Sequence, residues 1–330
     1  MDFRLSLVTQ FDAERSLDTV ADELVEQVEI AREGGFDSVA VPEHHATDDS
    51  YLLNEAVLAH VAEHVGDMGL ASGMCLLPYH NPVRIAEFGA TMDVLTGGQF
   101  TLGVAQGYRD KEFEVFGVDR GDAVGRFVEG VEVIERLWTE ERVTYEGDHF
   151  QFDDVTINPK PVQQPRPPIV VGASNEASVR RSARLTDGWW AGHVPFDGVG
   201  KRVDAFREER EAAGLPPGRI EVGREVFVAE TAEEAEAIVR DPLMRKYDRY
   251  VSWGQDEVFE DDEFDSAWEK LKRDRFIVGS PEDVVAELER YREAFDPDAV
   301  RTRMQFQGMD YADARESLRL FCEEVVPAFA

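Results

Sequence analysis

Lysine and cysteine are nearly missing from this chain. Only six of its 35 basic residues are lysine, and 330 residues include two cysteines. Cys75 falls in an apolar stretch and Cys322 in a helical pattern. Their placement offers no metal-ligand spacing and argues against a disulfide framework. Basic charge is scarce as well: 68 acidic residues give a formal net charge of -33. That excess argues against nucleic acid and anionic membrane as partners. Such self-repulsion is tolerable where salt screens it, the Debye length at molar ionic strength being about 3 Å. A salt-adapted source is therefore expected. No apolar run approaches the length of a membrane span. The first residues, Met-Asp-Phe-Arg, lack a signal-peptide profile, so the expected location is cytoplasmic. There is no G-x-G-x-x-G after the first strand and no P-loop, which weakens the dinucleotide and nucleoside-triphosphate readings.

What is present is an alternation of strand and helix. Short apolar runs predict strands at 5–8, 37–41, 68–77, 100–105, 169–171, 188–191, 220–228 and 300–306. Helical spacing predicts helices at about 18–33, 51–65, 82–95, 122–138, 176–184, 199–213, 231–246, 281–294 and 311–324. Eight strand–helix units suit a closed (β/α)8 TIM barrel, an α/β fold, better than an open sheet. One domain over 1–330 is expected, with a hairpin insertion near 143–154. The acidic, aromatic stretch 248–275 has no clean period and is read as a lid-like insertion.

Chemistry in such a barrel collects at the carboxyl ends of the strands. Asp37-Ser-Val-Ala-Val-Pro-Glu-His-His45 is one such end, a buried strand stopped by Pro42 and followed by three proton-handling side chains. Other ends carry Gly73-Met74, Gln106-Gly107-Tyr108, Gly172-Ala173-Ser174 and Gly192-His193. Repeated glycine there points to backbone lying close to a flat ligand. Ser174 reads as a helix cap whose free N–H groups suit a phosphate, with Arg126 or Arg109 as the cation. Glu43, His44, His45 and His80 also contain metal-binding residue types, but adjacent histidines on one loop rarely chelate together, so no metal is assigned. Gln10, Met74, Tyr108, Trp190 and His193 suggest a mostly apolar pocket with an aromatic wall.

Several stretches together resemble the bacterial luciferase-like, flavin-dependent monooxygenase family. They are Ala31-Arg-Glu-Gly-Gly-Phe-Asp-Ser38, Glu43-His-His45, Leu77 to Glu87, Met92 to Gly107, Glu112-Phe-Glu-Val-Phe-Gly117, Pro165 to Ser174 and Asp187-Gly-Trp-Trp190. Phe321 to Phe329 resembles the family's ending, so the likeness spans nearly the whole chain. The resemblance implies a TIM barrel that uses reduced FMN and O2 to oxygenate a small organic substrate, with a separate flavin reductase as functional partner. It implies a catalytic role for His44, apt because an imidazole titrates near neutrality. It places Gly73 and Met74, joined by a cis peptide, under the flavin ring, and Arg126 with the Gly172, Ala173 and Ser174 backbone at the flavin phosphate. Ala105 falls where luciferase has its reactive cysteine, and Gln106 where it has a phosphate-side arginine. Both departures weaken a light-emission reading. The resemblance also implies a homodimer. The same superfamily holds deazaflavin-coenzyme-dependent oxidoreductases that transfer hydride, an alternative that calls for more cations at the rim than Arg109, Arg126 and Arg224. A non-catalytic flavin-binding protein is the reading from another class.

Overall fold

A computed structural model of the chain describes residues 1–192, 194–254 and 268–330. Eight parallel strands form its centre: β1 (Asp2–Ser6), β2 (Ser38–Val41), β3 (Gly69–Ser72), β4 (Phe100–Ala105), β5 (Ile169–Gly172), β6 (Gly188–Ala191), β7 (Arg219–Val228) and β8 (Ala299–Arg303). Neighbours in sequence pair in space. β8 returns to β1, Val300 facing Phe3, so the sheet closes on itself. The expected (β/α)8 barrel is the fold.

The α-helices among the described residues are α1 (Val20–Glu33), α2 (Asn54–Val61), α3 (Pro82–Leu95), α4 (Asp110–Phe116), α5 (Ala123–Thr139), α6 (Glu176–Leu185), α7 (Phe196–Ala212), α8 (Ala232–Ser252), α9 (Trp268–Arg275), α10 (Pro281–Phe295) and α11 (Tyr311–Leu320). α1 shows the principle of their packing. Val20, Leu24, Gln27, Val28 and Ala31 recur every three or four residues and are buried, while its acids face outward. The outward-facing residues of the strands meet these stripes, and Val39, Val41, Leu70, Leu102, Val104, Ile169 and Val171 sit in one continuous core. No helix among the described residues is long and apolar enough to cross a membrane.

The residues pointing into the barrel are of another kind. Ala40, Ala71, Val170 and Trp190 make a small apolar patch. Beside it Arg4 and Arg301 share the carboxylate of Glu221, Arg301 Nη2 donating to it at 2.9 Å. Gly103 lies where β4 runs hard against β3. A Cβ there would stand 2.2 Å from the Ser72 carbonyl oxygen, so no larger residue fits without backbone movement.

Three expectations need correction. The predicted strand 68–77 is broken. β3 ends at Ser72, the Gly73–Met74 peptide is cis, Cys75–Leu76 pairs separately with the end of β4, and Leu77–Tyr79 forms a single 3-10 turn. The helix expected to stop at 246 continues to Ser252 through Pro242, because Leu243, Lys246, Tyr247 and Tyr250 keep a helical burial stripe. The stretch 248–275 is in part regular. Its first residues finish α8 and its last form α9, while 255–267 lie outside the described residues. A parallel strand not foreseen, Phe276–Gly279, pairs with the second half of β7. The strands Val143–Glu146 and Gln151–Val155 form an antiparallel hairpin.

Candidate active site

A cavity of about 280 Å3 opens at the carboxyl ends of the strands. Pro42 ends β2, and the following loop is fastened from beneath by Glu43. This buried carboxylate accepts from His45 Nε2 and His80 Nε2 through Oε1, both at 2.6 Å, and from the Leu76 backbone N–H through Oε2 at 3.0 Å. Burial pushes its carboxyl up, but the hydrogen bonds from the two imidazoles outweigh it and hold the group at about 2. Burial likewise depresses His45, and the Glu43 carboxylate overcomes that and leaves it above its ordinary value.

With its neighbours pinned, His44 is turned to the cavity. Its Nδ1 donates to Glu112 Oε1 at 3.0 Å. That bond selects the Nδ1–H tautomer and leaves Nε2 as a proton acceptor on a side chain that lines the cavity. Glu112 is fully buried near the start of α4. The same oxygen accepts from the His45 backbone N–H at 2.9 Å and from Arg109 Nη1 at 3.1 Å. Desolvation pushes the Glu112 carboxyl up, and these donors bring it below its ordinary value. Arg109 also donates to the His45 carbonyl at 2.7 Å and lies over the Trp253 ring at 4.0 Å. It therefore belongs to the His44 support, not to an anion site. Around His44 stand the rings of Trp253, Tyr51, Tyr108 and Tyr250, with centroids 5.3, 5.6, 5.9 and 6.4 Å away.

The sequence-derived residues divide clearly. His44, Gly73, Met74, Ala105, Gln106, Tyr108, Gly172, Ala173, Ser174 and Trp190 all line this one cavity. Gln10 does not. It lines a separate space of about 20 Å3 behind Tyr51 and Arg303, and it donates to Asp49 at 2.8 Å. Arg126 does not reach the cavity lining either. Its Nε donates to the Pro78 carbonyl at 2.8 Å and its guanidinium lies 4.8 Å from the Phe150 ring centre. His193 lies outside the described residues. Ser174 is not the cap of α6. Asn175 is, its side chain accepting from the Ser178 N–H at 2.9 Å, while the Ser174 carbonyl accepts from Arg202.

Sequence reasoning assigned no role to Glu112, Tyr51, Tyr250, Arg301 or Arg303. Glu112 stood in a quoted motif, yet only the fold brings it to His44 from 68 residues away. Arg301 and Arg303 alternate along β8, a spacing that places both on the barrel's inner face.

The surface of the cavity suits a flat ring rich in hydrogen-bond acceptors. Trp190 Nε1, Tyr108 Oη and Arg301 Nη1 are buried with no partner among the described residues. A Cβ at Gly73 would stand 2.8 Å from Ala40 Cβ, and one at Gly172 would stand 3.0 Å from Met74 Cγ. The backbone at both places is thus as bare as the packing permits.

The chain is similar to known proteins over most of its length. The luciferase-like monooxygenase family model matches residues 1–296. The oxygenase component of flavin-dependent trigonelline monooxygenase from Acinetobacter baylyi is 27% identical over 94% of this chain and 90% of its own length. The FMNH2-dependent dimethylsulfone monooxygenase of Pseudomonas putida is 29% identical over 50% of this chain and 46% of its own. The crystal structure of monooxygenase RslO1 from Streptomyces bottropensis superposes with a TM-score of 0.88 over 100% of both chains at 27% identity.

Proposed function

The chain belongs to the luciferase-like monooxygenase family, and on that premise we propose that it is the oxygenase half of a two-component system using reduced FMN and O2 on a small organic substrate. The observation that carries this reading is the pairing of His44 with buried Glu112 at the edge of a glycine-lined cavity. When bound, reduced FMN supplies the electrons that let one oxygen atom go to the substrate and the other to water. The backbone at Gly73–Met74 and Gly172–Ala173 would face its ring, and the Ser174–Ser178 turn at the start of α6 would meet its phosphate. The chain's own contribution is placement and proton handling. Glu112 holds the His44 ring with Nε2 as base, so that His44 takes a proton from the substrate side. Tyr51, Tyr108, Tyr250 and Trp253 exclude water around that nitrogen. A separate flavin reductase supplies the reduced cofactor, a division of labour in keeping with the Acinetobacter relative's being the oxygenase component of its own system.

Hydride transfer with a deazaflavin coenzyme fits less well. The cations lining the cavity among the described residues are Arg224, Arg301 and Arg303, on β7 and β8. None comes from the Gly172–Ser178 end, where a long acidic tail would run. Anaerobic titration with reduced FMN and with reduced deazaflavin coenzyme tests the assignment. FMN is expected to bind tighter, and preference for the deazaflavin would overturn it.

A further inference from the structure

The proposed reaction leaves the substrate unnamed, and one side of the cavity speaks to it. Arg303, at the inner end of β8, lines the cavity and donates from Nη1 to the Tyr250 hydroxyl at 3.1 Å. Among the described residues this phenol, not a carboxylate, is its hydrogen-bond partner. Among the described residues two carboxylates line the same cavity, and both are engaged elsewhere. Glu43 holds two imidazoles and an amide. Glu225 is paired with the Lys246 ammonium and accepts from the Tyr247 hydroxyl, and it acts on Arg303 only through space. Arg301, deeper in the barrel, shares Glu221 with Arg4, so that cluster holds two cations against one anion. A chain with a net charge of -33 thus turns guanidinium groups into its cavity.

Arg303 is half-buried, and a guanidinium with donor groups open to a cavity is well completed by a carboxylate, which it meets through two parallel hydrogen bonds. The Tyr250 ring joins this cation to the reacting corner. Its hydroxyl meets Arg303 and its ring centre lies 6.4 Å from that of His44. Tyr51 and Tyr108 line the same cavity, their ring centres 5.6 and 5.9 Å from that of His44. Faces and edges of aromatic rings receive a planar unsaturated body with better geometry than a flexible chain.

We propose that the substrate is a planar, unsaturated ring bearing a carboxylate, with Arg303 and Tyr250 receiving the carboxylate and the aromatic wall holding the ring beside His44. This rests on the monooxygenase reading for the chemistry, but the recognition it describes is a binding property of the cavity alone. Arg303 and Tyr250 are therefore specificity-determining residues.

Calorimetric titration of the full chain at one fixed, high potassium chloride concentration tests this, using benzoate, its neutral isostere benzamide, and acetate, in wild type, Arg303→Lys and Arg303→Gln. Charged hydrogen bonds of this kind predict that benzoate binds wild type about tenfold to a hundredfold tighter than benzamide. Acetate should bind more weakly than benzoate. Arg303→Gln should bring the benzoate-to-benzamide ratio close to one, and Arg303→Lys should keep part of it. If Arg303→Gln does not fold by circular dichroism, the wild-type ratio and the Arg303→Lys ratio decide. Equal binding of benzoate and benzamide, no binding of either, or a preference that survives in folded Arg303→Gln would overturn the proposal. The same samples are titrated with reduced FMN. FMN binding without a carboxylate preference defeats this inference alone. A carboxylate preference without FMN binding defeats the cofactor assignment alone.

Discussion

Replacing Glu43 by glutamine should remove a large, pH-dependent part of the fold's stability. Glu43 is 5% exposed and accepts three hydrogen bonds, two of them from imidazoles. Its carboxyl is held at about 2 against an ordinary 4.5. At about 1.4 kcal/mol for each tenfold in proton affinity, that difference is worth roughly 3 kcal/mol. Because the native value is depressed, this contribution is complete above the unfolded value of 4.5 and is lost as pH falls toward about 2. His45 runs the other way. Its native value is raised above 6.5, so its share is complete below 6.5 and fades as pH rises through the native value. The clamp is therefore strongest between 4.5 and 6.5. Glutamine keeps the shape but loses the charge and turns an N–H2 toward a donor. Urea unfolding at fixed high salt, repeated from about pH 3 to about pH 8, should show Glu43→Gln less stable by about 3 kcal/mol near pH 6. The two curves should converge in acid. Parallel curves, or a gap that widens in acid, would refute the argument.

Three further outcomes follow from the same geometry. Glu112→Gln should leave FMN affinity within about twofold while lowering turnover about tenfold to a hundredfold, since it loosens the His44 tautomer without touching the cofactor region; steady-state oxygen uptake with a substrate in hand checks it. Glu221→Gln should destabilise by about 3–5 kcal/mol, because Arg4 and Arg301 would stay buried without their shared carboxylate; a denaturation midpoint unchanged from wild type would contradict this. Gly103→Ala should cost about 1–3 kcal/mol or more by pushing β4 off the Ser72 carbonyl, and thermal unfolding reads it directly.

The barrel was legible because its strands are short apolar runs, stopped by Pro42 after 37–41 and by Gly107 soon after 100–105, alternating with helical stripes. Local pattern sufficed there. It failed where partners come from far away in the chain. Nothing near Glu112 says that its carboxylate will meet His44, and nothing near Pro78 says that its carbonyl will take the Arg126 guanidinium. Ser174 and Asn175 are both good cap residues, and only the extended backbone at Asn175 decides between them. The helix expected over 231–246 stops six residues early because the acidic, aromatic stretch from 248 onward shows no clean period. Its buried face shows why it runs on and carries Tyr250 to the cavity. The inner-face arginines of β8 alternate in the sequence but had no meaning until the barrel closed and set them in the same cavity lining as His44.

The most direct test of the account is rapid mixing of the protein loaded with reduced FMN against air-saturated buffer, in wild type and His44→Ala. The account predicts that bound FMN reoxidises through an oxygen-dependent absorbance phase that free FMN lacks, and that His44→Ala binds FMN but changes that phase. Reoxidation indistinguishable from free FMN in both proteins would contradict it.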